Sequence, residues 1–460
     1  MGIGINVRIN KITIRDVKSV THGVIHFDTA DDLRNENASI MGIYGQNGSG
    51  KTAVVEMLDI VKHIFRGDPI PSKYLELIAK GKDACVFKVE LVMFNVAGNL
   101  DLVVSYECKL ESRRDPNSPK DKPKDIIAIT YEKLSFNGGN LGEYTIADEF
   151  IIAETDETCD VLLPTSNLAL SLDIRGDQEL IWQKKLALFG GRSFVFSDPL
   201  EDAIKGRSDM FLVHSTLLLL SIFSLSSLFV INEPQGNEFI FHTLIGTKTG
   251  GVLHTDQISL SGNVQVLSKS YIVAVEKSMP TINAILSSII PGLKIDLLKN
   301  KLSLLDKETY EVEFIVSREG LGTFPLRNES LGIKKIISFL SLFIHAYNTP
   351  SAILVVDEMD ASIFEYLLGD LLEMFALYGK GQLIFTSHNL RPLEKLNDKS
   401  ICFTTTDPSN RYTQLTTKEG SNLRNEYFRA IALGTQDAEL YNGKNKHTLA
   451  HALSKAGRVE

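Results

Sequence analysis

The sequence predicts an α/β protein built on a parallel sheet, and three observations carry that prediction. A compact apolar run, Ser39 to Tyr44, stops at a glycine-rich turn and gives way to helical spacing from Thr52 to Phe65. Late in the chain, helix (Leu331 to Tyr347), apolar strand (Ala352 to Val356), helix (Phe364 to Tyr378) and apolar strand (Leu383 to Thr386) alternate, the order that buried parallel strands and crossover helices require. With 460 residues, 43% of them apolar, the chain is long enough for two or three domains with cores of their own.

The elements follow in order. The opening MGIGINVRINKITIRD alternates apolar and polar residues, so it reads as a strand and not as an export signal, and Asn6 stands where a myristoylation signal needs Ser or Thr. Ile9 to Ile14 and Val24 to Phe27 are short strands, and Ser39 to Tyr44 belongs to the same sheet as the late strands. Between about 83 and 165 the pattern is β-rich: VFKVELVMF and LDLVVSYECKL are joined by the Ala97-Gly98-Asn99 turn, and DIIAITYEKLSF follows. This is a β-subdomain inserted after the first helix. Glu111 to Lys124 holds three of the fourteen prolines and charges of both signs, which marks a hairpin tip. A solvated loop is the preferred reading there, with a nucleic-acid or partner contact through Arg113, Arg114, Lys120 and Lys122 as the alternative.

From roughly 175 to 300 the signals are mostly helical, without the three or four successive heptads of a long coiled coil. Met210 to Ile231 is almost continuously apolar at about the length that crosses a bilayer. Its six hydroxyl residues, His214 and the closing LFVINEP instead predict a buried helix followed by a strand, and no membrane partner. After 300, TYEVEFIVS restores strand alternation. The expected division is 1–165 as a first lobe with the glycine-rich loop and β-subdomain, 166–305 as a mainly helical insertion, 306–445 as a second lobe, and 446–460 as a polar tail.

Charge and cysteines narrow the function classes. Forty-eight basic against 57 acidic side chains leave a net charge of -9, which argues against a general electrostatic grip on nucleic acid. The four cysteines, at 85, 108, 159 and 402, show no C-x-x-C spacing, so neither zinc nor a disulfide framework is indicated, and the cytoplasm is the expected compartment.

Chemistry concentrates at three strand ends. Gly45-Gln46-Asn47-Gly48-Ser49-Gly50-Lys51-Thr52 fits G-x-x-x-x-G-K-[ST] between a strand and a helix. In that pattern glycines let backbone N–H groups turn around phosphate oxygens, Lys51 reaches the β and γ phosphates of ATP, and Thr52 offers a hydroxyl to Mg2+. Ile353 to Val356 ends in Asp357-Glu358; successive side chains on a strand point apart, so Asp357 suits the Mg2+ shell and Glu358 suits the attacking water. QLIFTSHN is a neighbouring strand whose C-terminal edge carries His388, where a γ-phosphate contact is expected.

Together these residues resemble the ABC-type ATPases, in the branch that contains RecF and the OLD-family proteins. The Asn-Gly-Ser-Gly form of the loop and Asn328-Glu329-Ser330-Leu331-Gly332-Ile333-Lys334-Lys335, which resembles the signature segment, carry the resemblance; it covers roughly 5 to 65 and 310 to 445. Leu331 and Ile333 depart from the usual small and polar residues. Asp360-Ala361-Ser362 matches the D-loop, although Ile363-Phe364-Glu365 replaces the usual leucine-histidine-proline.

The implied fold is an ABC-type ATPase head, a P-loop NTPase with an N-terminal β-subdomain and a largely helical insertion. The implied cofactors are ATP and Mg2+, with Gly45 to Thr52, Ser330, Gly332 and Asp360 on the nucleotide, Thr52 and Asp357 on the metal, and Glu358 and His388 catalytic. Ser330 and Gly332 would meet nucleotide held by a second subunit, which implies a head-to-tail homodimer at least, a hexamer being among the larger assemblies this allows. OLD-family proteins usually carry a nuclease after the ATPase. Residues 389–460 are too few for one, and His447 and His451 read as a solvated helix face, so an effector would be another polypeptide. Size and motif order most resemble the stand-alone ATPase subunits of bacterial antiphage systems such as PARIS and, less closely, Septu. That resemblance implies a slow, regulatory ATPase controlling a separate TOPRIM-type nuclease in response to a phage-encoded trigger. A RecF-like repair ATPase is the alternative, so direct DNA binding stays open.

Overall fold

Five apolar strands run parallel through the middle of the molecule, a computed structural model. It describes residues 5–451 apart from 28, 96–99, 116–117, 120, 122–123, 142–143, 147–149, 157–160, 163–171, 174–176, 233–239, 247–252, 260–264, 305–306, 362, 418–421, 434–439 and 441–450, and also describes 454–456. In spatial order the strands are Leu228–Ile231, Ile353–Val356, Gln382–Ser387, Ser39–Tyr44 and Ile401–Thr404, with Tyr412–Thr413 antiparallel at the edge. Every residue of Ser39–Tyr44, Ile353–Val356 and Gln382–Ser387 is buried, which is why these runs read as continuous apolar blocks.

Strand alternation divides the core between the two faces. Met41, Ile43, Ile353 and Val355 pack with the helix Lys51–Phe65 and the β-subdomain. Ile40, Tyr44, Leu354 and Val356 pack with the helices Leu331–Asn348 and Glu365–Tyr378. All three central strands therefore end on one edge of the sheet, and each hands its next residues to a loop there: Gly45, Asp357 and His388.

A second, antiparallel sheet of seven strands is built from Val20–His26, Asn6–Val17, Ala84–Asn95, Leu100–Arg114, Asp125–Leu141, Tyr144–Ile146 and Phe150–Asp156. The β-subdomain thus includes the first two strands of the chain. Gln382 fastens it to the parallel sheet. Its amide carbonyl accepts from the Ile9 N–H at 2.9 Å and its amide N–H donates to the Ile9 carbonyl at 2.8 Å, beside a register shift between Ile9 and Lys11. Buried Arg8 donates to the Pro350 and Lys380 carbonyls from the same strand.

In the middle of the chain, helices Gln178–Phe189, Asp198–Ile204, Phe211–Ser226 and Lys269–Ile289 supply the expected helical signal. Strands lie among them. Leu228–Ile231 joins the parallel sheet, Ile240–Gly246 pairs with Leu253–Ser259, and Gln265–Ser268 and Lys294–Leu304 join a four-stranded antiparallel sheet with Lys307–Arg318 and Gly322–Pro325. Leu228–Ile231 and Gln265–Ser268 are only four residues long and are specified by distant partners, so they leave little periodic trace. Phe211–Ser226 followed by Leu228–Ile231 is the helix and strand expected of the apolar stretch. Among the described residues no helix is long and apolar enough to cross a membrane. The hairpin arms pair as far as Arg114 and Asp125; Lys120, Lys122 and the Ala97-Gly98-Asn99 turn lie outside the described residues, as do Ser362 and His447.

Candidate nucleotide site

The loop after Tyr44 turns through left-handed backbone that glycine adopts most easily: Gly45 has φ +154°, Gly48 +75° and Gly50 +97°. At Gly45 space is also a constraint, because an added Cβ would lie 1.7 Å from the Thr404 hydroxyl. Gly50 is the residue that starts the helix Lys51–Phe65, so the free N–H groups of that helix open onto the loop. Lys51 folds back across it, and its Nζ donates to the carbonyls of Gly45 and Gln46, each at 2.9 Å. Burial lowers the Lys51 pKa, opposed by the nearby carboxylates of Asp357, Glu358 and Asp360.

The loop is braced from behind. The Ser49 hydroxyl donates to the Gln46 carbonyl at 2.7 Å, the Thr404 hydroxyl to Ser49 Oγ at 2.6 Å, and the Tyr412 hydroxyl to the Gly50 carbonyl at 2.8 Å. Gln46 donates its side-chain amide to the Leu440 carbonyl at 3.2 Å. Gly45 and Gln46 are half-buried, Asn47 and Gly48 form the exposed turn, and Ser49 is buried, so the open side of the loop is the Asn47-Gly48 turn. Thr404 and Tyr412, on a short antiparallel pair, were not singled out by sequence. Their spacing from the loop, over 350 residues, leaves no local signal.

Across the strand ends, the Thr52 hydroxyl lies 3.5 Å from Asp357 Oδ1. The fit to a small hard cation is good: two oxygens on adjacent corners of an Mg2+ octahedron with bonds of about 2.1 Å sit about 3 Å apart. A hydroxyl paired with a buried carboxylate is also the donor set such an ion takes. Among the described residues no cluster of three or more His, Cys, Asp or Glu side chains could hold a metal. Thr386, another residue that sequence did not flag, ties the centre together. Its hydroxyl donates to Asp357 Oδ1 at 2.5 Å and accepts from the Glu358 N–H at 2.7 Å. Glu358 itself has φ +44°, an unusual conformation for a residue with a side chain.

Asp360 stands on the far side of this turn. One of its oxygens accepts from the backbone N–H groups of His388 at 3.0 Å and Asn389 at 2.9 Å, so it shapes the loop that presents His388. The His388 ring is exposed at the sheet edge. Burial, and then the positive charge of Lys51, lower its pKa against the pull of Asp360 and Asp357, which favours a neutral imidazole with one N–H to donate. Ser330 and Gly332 lie elsewhere in this arrangement. Ser330 begins the helix Leu331–Asn348, where its Oγ accepts from the Ile333 N–H at 3.4 Å, and it is exposed at that helix start. Lys51, Thr52, Asp357, Glu358, Asp360 and His388 are thus drawn to one sheet edge, while Ser330 is exposed and Gly332 half-buried at the start of the helix Leu331–Asn348.

Comparison with protein families finds a match to "AAA domain, putative AbiEii toxin, Type IV TA system" over residues 254–393. That stretch contains Ser330, Gly332, Asp357, Glu358, Asp360 and His388 and excludes the glycine-rich loop. Comparison with curated proteins finds no match. Among solved structures the chain is similar to the Smc head domain from Pyrococcus furiosus with an extended coiled coil bound to the C-terminal domain of ScpA. The identity is 13% and the TM-score 0.42, covering 93% of this chain and 100% of that one. It is also similar to the SMC head domain from Thermotoga maritima, at 13% identity and TM-score 0.38 over 89% and 100% of the two chains. RecF with ATP, a recombination mediator of the RecFOR pathway, matches at 10% identity and TM-score 0.37 over 89% and 100%.

Proposed function

We propose that this chain is an ABC-like ATPase that binds ATP with Mg2+, hydrolyses it slowly, and works as a homo-oligomer controlling a separate toxic nuclease in antiphage defence. The observation that carries the ATPase reading is the meeting of Thr52, at the end of a complete glycine-rich phosphate loop, with Asp357, 305 residues away. The link to defence is supported by the AbiEii and Type IV toxin-antitoxin wording of the matching family over 254–393.

In this reading the N–H groups of the loop and the start of the helix Lys51–Phe65 surround the phosphates. Lys51 exchanges the Gly45 and Gln46 carbonyls for phosphate oxygens, whose negative charge stabilises its ammonium against the burial that lowers its pKa. Thr52 and Asp357 would hold Mg2+, whose chemistry is to neutralise charge gathering on the β and γ oxygens. Glu358 orients the attacking water and takes its proton, and neutral His388 donates a hydrogen bond to the γ-phosphate. Ser330, exposed at its helix start, and half-buried Gly332 serve nucleotide held by another copy, so that binding closes an interface and hydrolysis reopens it.

The test is to measure ATP binding, hydrolysis and particle mass for the wild-type chain, Lys51→Ala and Glu358→Gln, and to co-express the chain with its genomic neighbours. Loss of binding in Lys51→Ala, a trapped ATP-loaded oligomer in Glu358→Gln and recovery of a stoichiometric nuclease would support the reading. Unchanged hydrolysis in both variants would overturn the site, and a bare dimer that retains DNA would replace defence by repair.

A further inference from the structure

We propose that Lys335 is a positioning residue for the hydrolytic turn, coupling the helix that begins at Ser330 to the backbone of Glu358. This deepens the ATPase reading and rests on Glu358 as its base.

Two lysines, Lys334 and Lys335, lie one after the other in the first turns of the helix Leu331–Asn348, and both are buried, at 8% and 7% exposure. Consecutive residues on a helix point about 100° apart. The two ammonium groups accordingly go to different places: Lys334 Nζ donates to the Arg327 carbonyl at 3.1 Å, and Lys335 Nζ donates to the Glu358 carbonyl. Around them the helix is apolar, with Ile333, Ile336 and Ile337 buried. Taking an ammonium out of water there costs several kcal/mol, so packing alone would be better served by Leu or Met.

What Lys335 grips is the peptide that most needs holding. Glu358 sits at φ +44° without being glycine, a conformation that persists only when its surroundings over-determine it. Its N–H is fixed by the Thr386 hydroxyl at 2.7 Å and by Asp357 Oδ1 at 3.2 Å. Its carbonyl accepts from Lys335 and from the Ala361 N–H at 2.9 Å. The peptide of the base is therefore clamped from the sheet on one side and from the signature-like helix on the other. Ser330 is the N-cap of that same helix, five residues before Lys335. A rigid helix cannot be displaced at its start without moving a charge one and a half turns along it. Engagement of Ser330 by a second copy is thereby transmitted to the orientation of the Glu358 carboxylate within one chain.

The experiment compares Lys335→Met, Lys335→Arg and Glu358→Gln, with the double variant, for affinity towards a fluorescent ATP analogue, kcat, KM and thermal unfolding. Lys335→Met should lower kcat roughly 10-fold to 100-fold, the share of a charge-assisted hydrogen bond, while nucleotide affinity stays within about 3-fold. Lys335→Arg, which keeps a donor, should recover most of the loss. In the Glu358→Gln background Lys335→Met should cost less than about 3-fold more, because two residues that act as a unit are not additive. Should Lys335→Met fail to fold, Lys335→Gln, which removes the charge but keeps a polar side chain, reads the same loss of kcat at nearly constant nucleotide affinity. Unchanged kcat, equal losses in affinity and rate, or full additivity with Glu358→Gln would overturn the proposal. If Glu358→Gln itself hydrolyses ATP normally, the parent reading falls; if it is inactive while Lys335→Met is not, only the coupling falls.

Discussion

Thr386→Val deletes one hydroxyl from a site with no solvent access and keeps the shape of the side chain. Two hydrogen bonds disappear with it. The donation to Asp357 Oδ1, at 2.5 Å, goes to a buried carboxylate, and bonds of that kind contribute about 1.5–3 kcal/mol. The Glu358 N–H loses its closer acceptor at 2.7 Å but keeps Asp357 Oδ1 at 3.2 Å, so its penalty falls at the low end, about 1 kcal/mol. The sum is a loss of about 2.5–4 kcal/mol. Urea unfolding followed by tryptophan and far-UV signals reads it as a lower midpoint at constant slope. Amide hydrogen exchange reads it locally, as faster exchange across residues 356–359, and turnover should fall with it because the turn that carries Glu358 is looser. Thr386→Ser keeps the hydroxyl and removes one buried methyl, so it should cost only about 1 kcal/mol. A Val variant as stable as the wild type to within about 0.5 kcal/mol, or a Ser variant less stable than Val, would refute the role given to the hydroxyl.

Three other outcomes follow from the same geometry. Gly45→Ala places a Cβ 1.7 Å from the Thr404 hydroxyl in left-handed backbone, so equilibrium binding of an ATP analogue should weaken at least about 10-fold while the far-UV spectrum is unchanged. Gln382→Leu strands the N–H and carbonyl of Ile9 between the two sheets and should cost about 2–4 kcal/mol in thermal or urea unfolding, whereas Gln382→Glu should cost less at a pH where the new carboxyl is protonated and keeps a donor. Burial lowers the pKa of His345 below its ordinary 6.5 in the folded chain. The unfolded chain then takes up the proton first as pH falls, so this contribution to stability is complete above about pH 6.5 and declines below it. The slope of melting temperature against pH in acid should flatten in His345→Leu; an unchanged slope would show that the ring does not titrate in this way.

The parallel sheet was legible because its strands are buried on both faces. Ser39–Tyr44, Ile353–Val356 and Gln382–Ser387 are buried, mostly apolar runs flanked by helical spacing, a pattern few other arrangements produce. Leu228–Ile231 belongs to the same sheet and was recognised as a strand closing a buried helix, yet its partner, Ile353–Val356, is more than a hundred residues away and no periodicity reveals the pairing. Gln265–Ser268 was absorbed into a helical reading for the related reason that four residues complete barely one helical turn and two strand repeats, so the two periods are indistinguishable until Thr309–Val312 supplies the other half of the ladder.

The site divides along the same line between local and distant causes. Gly45 to Thr52, Asp357-Glu358 and His388 announce themselves because each is a polar or glycine-rich interruption at the end of an apolar strand, and an interruption is visible in the sequence alone. Thr386, Thr404, Tyr412 and Lys335 announce nothing. A threonine inside a strand is ordinary strand composition, and a lysine in the first turns of a helix is ordinary helix composition. What separates them from their neighbours is that each directs a donor at the backbone or side chain of a residue that is visible: Thr386 at Asp357, Thr404 at Ser49, Tyr412 at Gly50 and Lys335 at Glu358. The residues expected to touch nucleotide are conspicuous because their chemistry does not suit a core. The residues that aim them suit a core well enough to be hidden in it, and a buried donor shows its purpose only when its acceptor is known.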